Sequence, residues 1–205
     1  MEFYDVINKR KTAREWQEKD VPMEMLERLI DAGLAAPSNN HLREWEFVIL
    51  RTPEEKAPAL QFVKEFVENR GVTEQEKRFA EGNPVQRMYK YAMPRQYTML
   101  NDAPYVILPF FKIAKLSASS VNELNAFASI WCVIENIFLA AADEGLGTSM
   151  RIPVGSESEK VCKAVGAPEG WVMPCYIGVG YPKEDAPQLE QIRYSAGEKM
   201  HFGRW

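Results

Sequence analysis

Residues 123–147 read ELNAFASIWCVIENIFLAAADEGLG, a run nearly continuous in Ala, Ile, Leu, Trp and Phe, with charges only at Glu123, Glu135, Asp143 and Glu144. That is longer than any ordinary strand, and its apolar character on almost every side predicts a mostly buried central helix. Gly145-Leu146-Gly147 stops it, since glycine takes the backbone conformations of a helix C-terminus without steric cost.

Two kinds of segment flank this helix. On its C-terminal side, Ser156 to Val165 has the spacing of a short amphipathic helix, and Trp171 to Val179 (WVMPCYIGV) reads as a strand. On its N-terminal side, Tyr105 to Phe111 (YVILPFF) reads as a buried strand, with Pro109 pushing it toward a sheet edge or a bulge because proline has no ladder donor. Glu46 to Arg51 (EFVILR) is another strand, followed by the helix-start signal Thr52-Pro53-Glu54-Glu55. Met25, Leu26, Leu29, Ile30 and Leu34 recur at helical spacing between Pro22 and Ala35, and Phe3, Val6 and Ile7 mark a shorter helix over Phe3 to Asn8. The stretch from about residue 54 to 100 predicts several short helices, broken at Gly71, Gly82-Asn83-Pro84 and Pro94, that serve as a lid or substrate-facing insertion. Gly180 to Trp205 is a polar tail with aromatic anchors Tyr194, His201, Phe202 and Trp205, expected to dock on a neighbour such as a partner subunit.

Composition sets the outer bounds. The 205 residues are 46% apolar and 26% charged, as in a globular protein, and with no internal repeat or second core they predict one domain over residues 1–205. Twenty-five Lys plus Arg against 29 Asp plus Glu, a net charge of -4, supply no global positive field, so nucleic acid is not an expected partner. Cys132, Cys162 and Cys175 cannot all pair, lack metal-ligand spacing and sit in apolar surroundings, which predicts buried free thiols in a reducing compartment. The N-terminus has no signal-like apolar run, and no uninterrupted apolar stretch reaches the roughly 20 residues of a membrane span, so a cytoplasmic location without membrane association is expected.

Local clusters then matter more than net charge. Lys9-Arg10-Lys11-Thr12 with Arg14 places cations and a hydroxyl within one turn or loop; such a group can form a phosphate cradle, although taken alone it reads first as a solvated basic face. Ala35-Ala36-Pro37-Ser38-Asn39-Asn40-His41 follows a helix and precedes a strand; its small and amide residues fit the edge of a planar ligand or a plain turn. Trp45 and Phe47 beyond it read as core.

Taken in order, Arg10-Lys11-Thr12-x-Arg14, then Ala36-Pro37-Ser38 ahead of a Trp-x-Phe strand, then Gly145-Leu146-Gly147-Thr148 after an apolar helix resemble the nitroreductase family. Gly180-Tyr181-Pro182 and the ending His201-Phe202-Gly203-Arg204-Trp205 are similar to that family's last strand turn and tail. The resemblance implies an α+β fold with a central mixed β-sheet flanked by helices, a homodimer with exchanged C-terminal tails, and FMN bound at the dimer interface. It implies that Arg10, Lys11, Thr12 and Arg14 hold the FMN phosphate and the adjoining ring edge, with Arg193 and more weakly Arg204 at the phosphate. Pro37, Ser38, Asn39 and His41 match the loop that crosses to the flavin, and Met150, Arg151 and Ile152 the segment along the isoalloxazine ring. His41-Leu42-Arg43-Glu44-Trp45 departs from the family's usual Asn-x-Gln-Pro-Trp, replacing two amides with His and Arg, which act on substrate preference or on the turn itself. Met150 stands where an aromatic is frequent.

The implied activity is two-electron transfer from NADH or NADPH to a small-molecule acceptor such as a nitroaromatic or quinone, by a ping-pong mechanism with no side-chain catalyst and no metal. Arg14 is expected beside the flavin N1 and O2 edge, where a cation stabilises the charge that reduction brings. The rivals are a relative specialised for reductive dehalogenation or flavin destruction, and a flavin carrier or sensor without turnover.

Overall fold

The computed structural model describes residues 2–69, 82–113, 117, 119–187 and 189–205. Helix α1 (Phe3–Lys9) and helix α2 (Met23–Leu34) lead to strand β1 (Trp45–Leu50), then come helix α3 (Pro53–Asn69), α4 (Pro84–Ala92), the short α5 (Thr98–Asn101) and strand β2 (Tyr105–Lys112). The central helix α6 (Asn125–Asp143), introduced by a 3₁₀ turn over Val121–Leu124, is followed by β3 (Gly147–Arg151), α7 (Glu157–Ala164), β4 (Trp171–Val172) and β5 (Tyr176–Gly180). The predicted insertion is one long helix and then shorter ones; its expected break at Gly71 lies outside the described residues.

The sheet runs β1-β2-β5-β3, with β4 also on β2, and all these pairs are antiparallel. The expected mixed character is therefore confined to an isolated parallel bridge, Thr12 with Thr148. Strand β2 is central, not an edge. Pro109 faces Phe47 of β1, and on its other side falls between the residues paired with β5 (Tyr105 to Ile107) and those paired with β4 (Phe111, Lys112). The missing N–H thus meets a gap in the ladder.

Both faces of the sheet are covered, which is why YVILPFF is apolar without alternation. On one face Ile107, Phe111, Ile177 and Val179 pack under α2 and α6 through Leu26, Leu29, Ile130 and Ile137. On the other, Val106, Leu108, Phe110 and Tyr176 pack with Leu60 and Val63 of α3 and Val161 of α7. The Val121–Asp143 stretch is long and apolar enough, at mean hydropathy 1.6, to cross a membrane; 33% of its most apolar window is buried, on the side of Ile130, Val133, Ile134 and Ile137, so the helix is less buried than its composition predicts. Gly145 (φ +76°) turns the chain from α6 into β3.

Three readings change in three dimensions. Trp171 to Val179 is two strands, separated by Met173-Pro174-Cys175. Gly147–Arg151 is a strand that GTSMR does not announce, having no apolar alternation; its pairing with β5 makes it one. Only Cys175 is a buried thiol, pushed well above its usual ionisation range by burial, whereas Cys162 is half-buried and Cys132 lies exposed on the outer side of α6.

Candidate functional site

Helix α1 ends as the Arg10 N–H donates to the Val6 carbonyl at 2.9 Å and Arg10 itself leaves helical geometry. The chain then runs along the β3 edge: Thr12 bridges Thr148, and the Ala13 N–H donates to the Thr148 carbonyl at 2.8 Å. Gly147 makes this approach possible, since a Cβ there would stand 2.7 Å from that of Ala13. Trp16 locks the segment, its indole N–H donating to the Met99 carbonyl at 3.0 Å.

This path delivers Arg10, Lys11, Thr12 and Arg14 to one cavity of about 310 Å³, floored by Phe138 and Thr148. A second cavity of about 270 Å³ shares Arg10, Thr12, Phe138 and Thr148 and extends to Trp131 and Met150. A cationic end and an apolar, partly aromatic floor thus adjoin along β3 and α6. Arg10 has a loose ion pair with Glu135 at 3.7 Å, both side chains being partly solvated. Arg14 is half-buried; its Nη1 lies 3.5 Å from the Thr12 carbonyl, and its Nε is buried with no hydrogen-bond partner among the described residues. Burial lowers the Arg14 pKa, with Tyr91 opposing and Arg95 adding to the shift.

The Pro37 to His41 loop stands elsewhere. The Asn39 N–H donates to Ser129 Oγ at 3.0 Å, while Ser38 Oγ is buried without a partner among the described residues. Asn40, His41 and Arg43 have φ of 53°, 55° and 49°, a left-handed conformation that non-glycine residues take up at a cost, often at functional sites. Ser38 and Asn39 line a cleft of about 30 Å³ with Trp45 and Phe111, apart from the Arg10 cavity. Within one chain the two groups do not converge.

The Arg151 side chain lies away from both cavities. Its guanidinium points to the opposite face of the sheet from Met150, is 2% exposed, and is held by both carboxylate oxygens of Glu157, one of them at 2.8 Å. Tyr176 donates its hydroxyl to the same carboxylate at 2.6 Å. The Arg151 side chain is thereby committed to the core. Ile152 is exposed just beyond β3, and Arg193 is exposed on a tail that brings Leu189 and Gln191, not Arg193, to the cavity. Arg204 and Trp205 are exposed at the chain end.

Sequence reasoning missed Glu15 and Tyr91, which line the larger cavity, and Arg95 beside them. Tyr91 donates its hydroxyl to Glu15, and Arg95 reaches the same carboxylate at 3.4 Å. Glu15 was visible only as the neighbour of Arg14, and Tyr91 and Arg95 lie in the insertion, where no motif marks them.

An α+β domain whose antiparallel sheet carries a cation-ended cavity along its N-terminal segment is the class this geometry defines. The nitroreductase family model matches residues 7–181, and the chain belongs to that family. Mouse iodotyrosine deiodinase 1 is 28% identical over 194 residues, covering 93% of this chain, which spans 66% of that relative's length. The structure of an FMN- and NADPH-dependent nitroreductase, a variant of NfnB from sphigopyxis sp. strain HMH, matches with a TM-score of 0.76 at 15% identity over the whole of both chains. That of oxidised iodotyrosine deiodinase bound to FMN and 3-iodo-L-tyrosine matches with a TM-score of 0.71 at 20% identity, over 99% of this chain and all of that one.

Proposed function

We propose that the chain is a cytoplasmic, homodimeric FMN oxidoreductase that passes two electrons from NADH or NADPH to a nitroaromatic, quinone or similar small conjugated acceptor. The observation that carries this reading is the cavity walled by Arg10, Lys11, Thr12 and Arg14, in which a buried guanidinium nitrogen of Arg14 has no partner among the described residues. Leaving such a donor unpaired costs about 1–3 kcal/mol, which an anionic ligand would recover. The donor set fits FMN: Arg10, Lys11 and the Thr12 hydroxyl can hold a phosphate, and Arg14 a polar ring edge. The apolar side chains of Phe138, Trp131 and Met150 offer a surface for a planar ring.

Bound FMN would supply the hydride and electron chemistry. The chain's own task is then to bind and orient. Arg14 would place positive charge where reduction adds negative charge, favouring the reduced state. No side chain need act as acid or base. The dimer is supported by the separation of Ser38, Asn39 and His41 from the Arg10 cavity, and by the exposure of Tyr194, Phe202 and Trp205, at 63%, 85% and 100%. A second copy could bring that loop to the flavin and cover those aromatics.

The similarity to iodotyrosine deiodinases supports a second reading, reductive dehalogenation of an aromatic substrate at the same site. One experiment tests both. The purified protein should show an oxidised-flavin spectrum, bleach anaerobically with NADH or NADPH, and recover with a nitroaromatic or quinone. Recovery only with 3-iodotyrosine would select the second reading, and a bound flavin that no donor reduces would select a carrier. Protein that cannot be reconstituted with FMN would end all three.

A further inference from the structure

Helix α6 carries two charges, and one of them, Asp143, is its last residue. The other is Glu135. It shares with Trp131, Ile134 and Phe138 the face of α6 that lines the second cavity, the four residues standing at the i, i+3, i+4 and i+7 spacing of one helix side. The other three are apolar, so the carboxylate interrupts an otherwise apolar row. Arg10 is what it meets: Arg10 Nε lies 3.7 Å from Glu135 Oε1, the one ion pair of Arg10 among the described residues. Arg10 lines both cavities, whereas Glu135 lines only the second and Lys11 only the first. The carboxylate thus approaches the guanidinium from the second cavity and at Nε. The two terminal nitrogens keep their donors for the first cavity, and such a pair can take two phosphate oxygens at once.

Arg10 has few other restraints. It stands just past the last turn of α1, outside helical geometry, and its side chain is 34% exposed. A long side chain in that position samples many rotamers, and a ligand that must immobilise it binds more weakly for doing so. Helix α6 is a fixed base by comparison, anchored in the core through Ile130, Val133, Ile134 and Ile137.

We propose that Glu135 is a positioning residue that holds the Arg10 guanidinium by Nε and presents its terminal nitrogens to the phosphate of a bound FMN. This rests on the FMN reading above. So solvated a pair contributes little to folding; what it supplies is orientation before the ligand arrives. The role needs an acceptor at position 135, not a negative charge, because a second anion beside Arg10 by itself opposes a phosphate. Two variants separate these effects. Glu135→Gln and Glu135→Ala both remove the charge, but only the glutamine keeps an oxygen that can accept from Nε.

Fluorescence titration of the FMN-free protein with FMN tests the proposal. Glu135→Ala should raise Kd about threefold to fivefold, the scale of ordering one long side chain, and Glu135→Gln should leave it at or below the wild-type value. In an Arg10→Ala background, adding Glu135→Ala should weaken FMN no further, since the residue through which Glu135 acts is gone. Alanine and glutamine variants that behave alike, both unchanged or both tighter, overturn the proposal. So does equal weakening by Glu135→Ala with and without Arg10, which marks a general structural role. Wild-type protein that binds no FMN defeats the functional reading and this proposal with it, whereas wild-type binding with indistinguishable variants overturns this proposal alone.

Discussion

Glu157→Ala is the perturbation whose consequence follows most directly from the structure. The side chains of Arg151 and Glu157 are 1% and 6% exposed, so solvent screens their interaction little. The Glu157 carboxylate takes two donors from Arg151, the Tyr176 hydroxyl at 2.6 Å and the Val154 N–H at 3.2 Å. Truncating it strands a buried cation whose Nε already has no partner among the described residues, together with a phenol that burial and this carboxylate hold above its usual pKa. Breaking a buried pair from one side costs about 3–5 kcal/mol. At about 2–4 °C of Tm per kcal/mol for a chain of this length, the fall should be roughly 6–20 °C. Thermal unfolding followed by circular dichroism measures it, with FMN absent so that ligand binding does not mask the change. Arg151→Met with Glu157→Leu, which removes both charges, should recover most of the loss, because the desolvation cost leaves with the pair. A loss under about 1 kcal/mol for Glu157→Ala, the value of a surface pair, would refute the assignment of a desolvated ion pair.

Arg10→Ala should leave stability nearly unchanged, since the solvated pair with Glu135 contributes about 0–1 kcal/mol, yet should weaken FMN retention about tenfold or more; equilibrium dialysis checks the second and thermal melting the first. Gly147→Ala drives a Cβ against Ala13 and should cost about 1–3 kcal/mol, loosening FMN as well because the cations ride on that segment. The hydrogen bond from Tyr91, with Arg95 adding, holds the Glu15 carboxyl below its usual 4.5, so its stabilising contribution is complete above that pH and is lost as pH falls through the lower folded-state value. Glu15→Gln should therefore lower stability at neutral pH and flatten the acid limb below 4.5, the difference from wild type vanishing at low pH; an unchanged limb would show that the contact is not maintained in solution. Deleting residues 190–205 should give monomeric or insoluble protein by light scattering, and a dimer that keeps its flavin would remove the tail's proposed role.

The local elements were legible because their signals are local. Leu26 and Leu29 lie on one side of α2 through helical periodicity alone, the length and apolarity of residues 125–143 mark a long helix although only one side of it is buried, and Gly145 ends it for a backbone reason that needs no partner. The cations from Arg10 to Arg14 could be named from sequence spacing too, since four residues of extended chain cannot travel far. What they face could not. Strand β3 exists only because β5 and the Ala13 segment supply its hydrogen bonds, and Pro109 fits a central strand only because β4 and β5 leave a gap beside it. Arg151 reads in one dimension as a cation next to Met150, but the pleat sends alternate side chains to opposite faces and places it with Glu157 and Tyr176. Glu15 meets Tyr91 across 76 positions of chain, and no local pattern encodes such a contact. Periodicity and turn chemistry thus determined which residues form helices and which cations travel together, whereas sheet pairing and long-range burial decided which charges are spent in the core and which are left for a ligand.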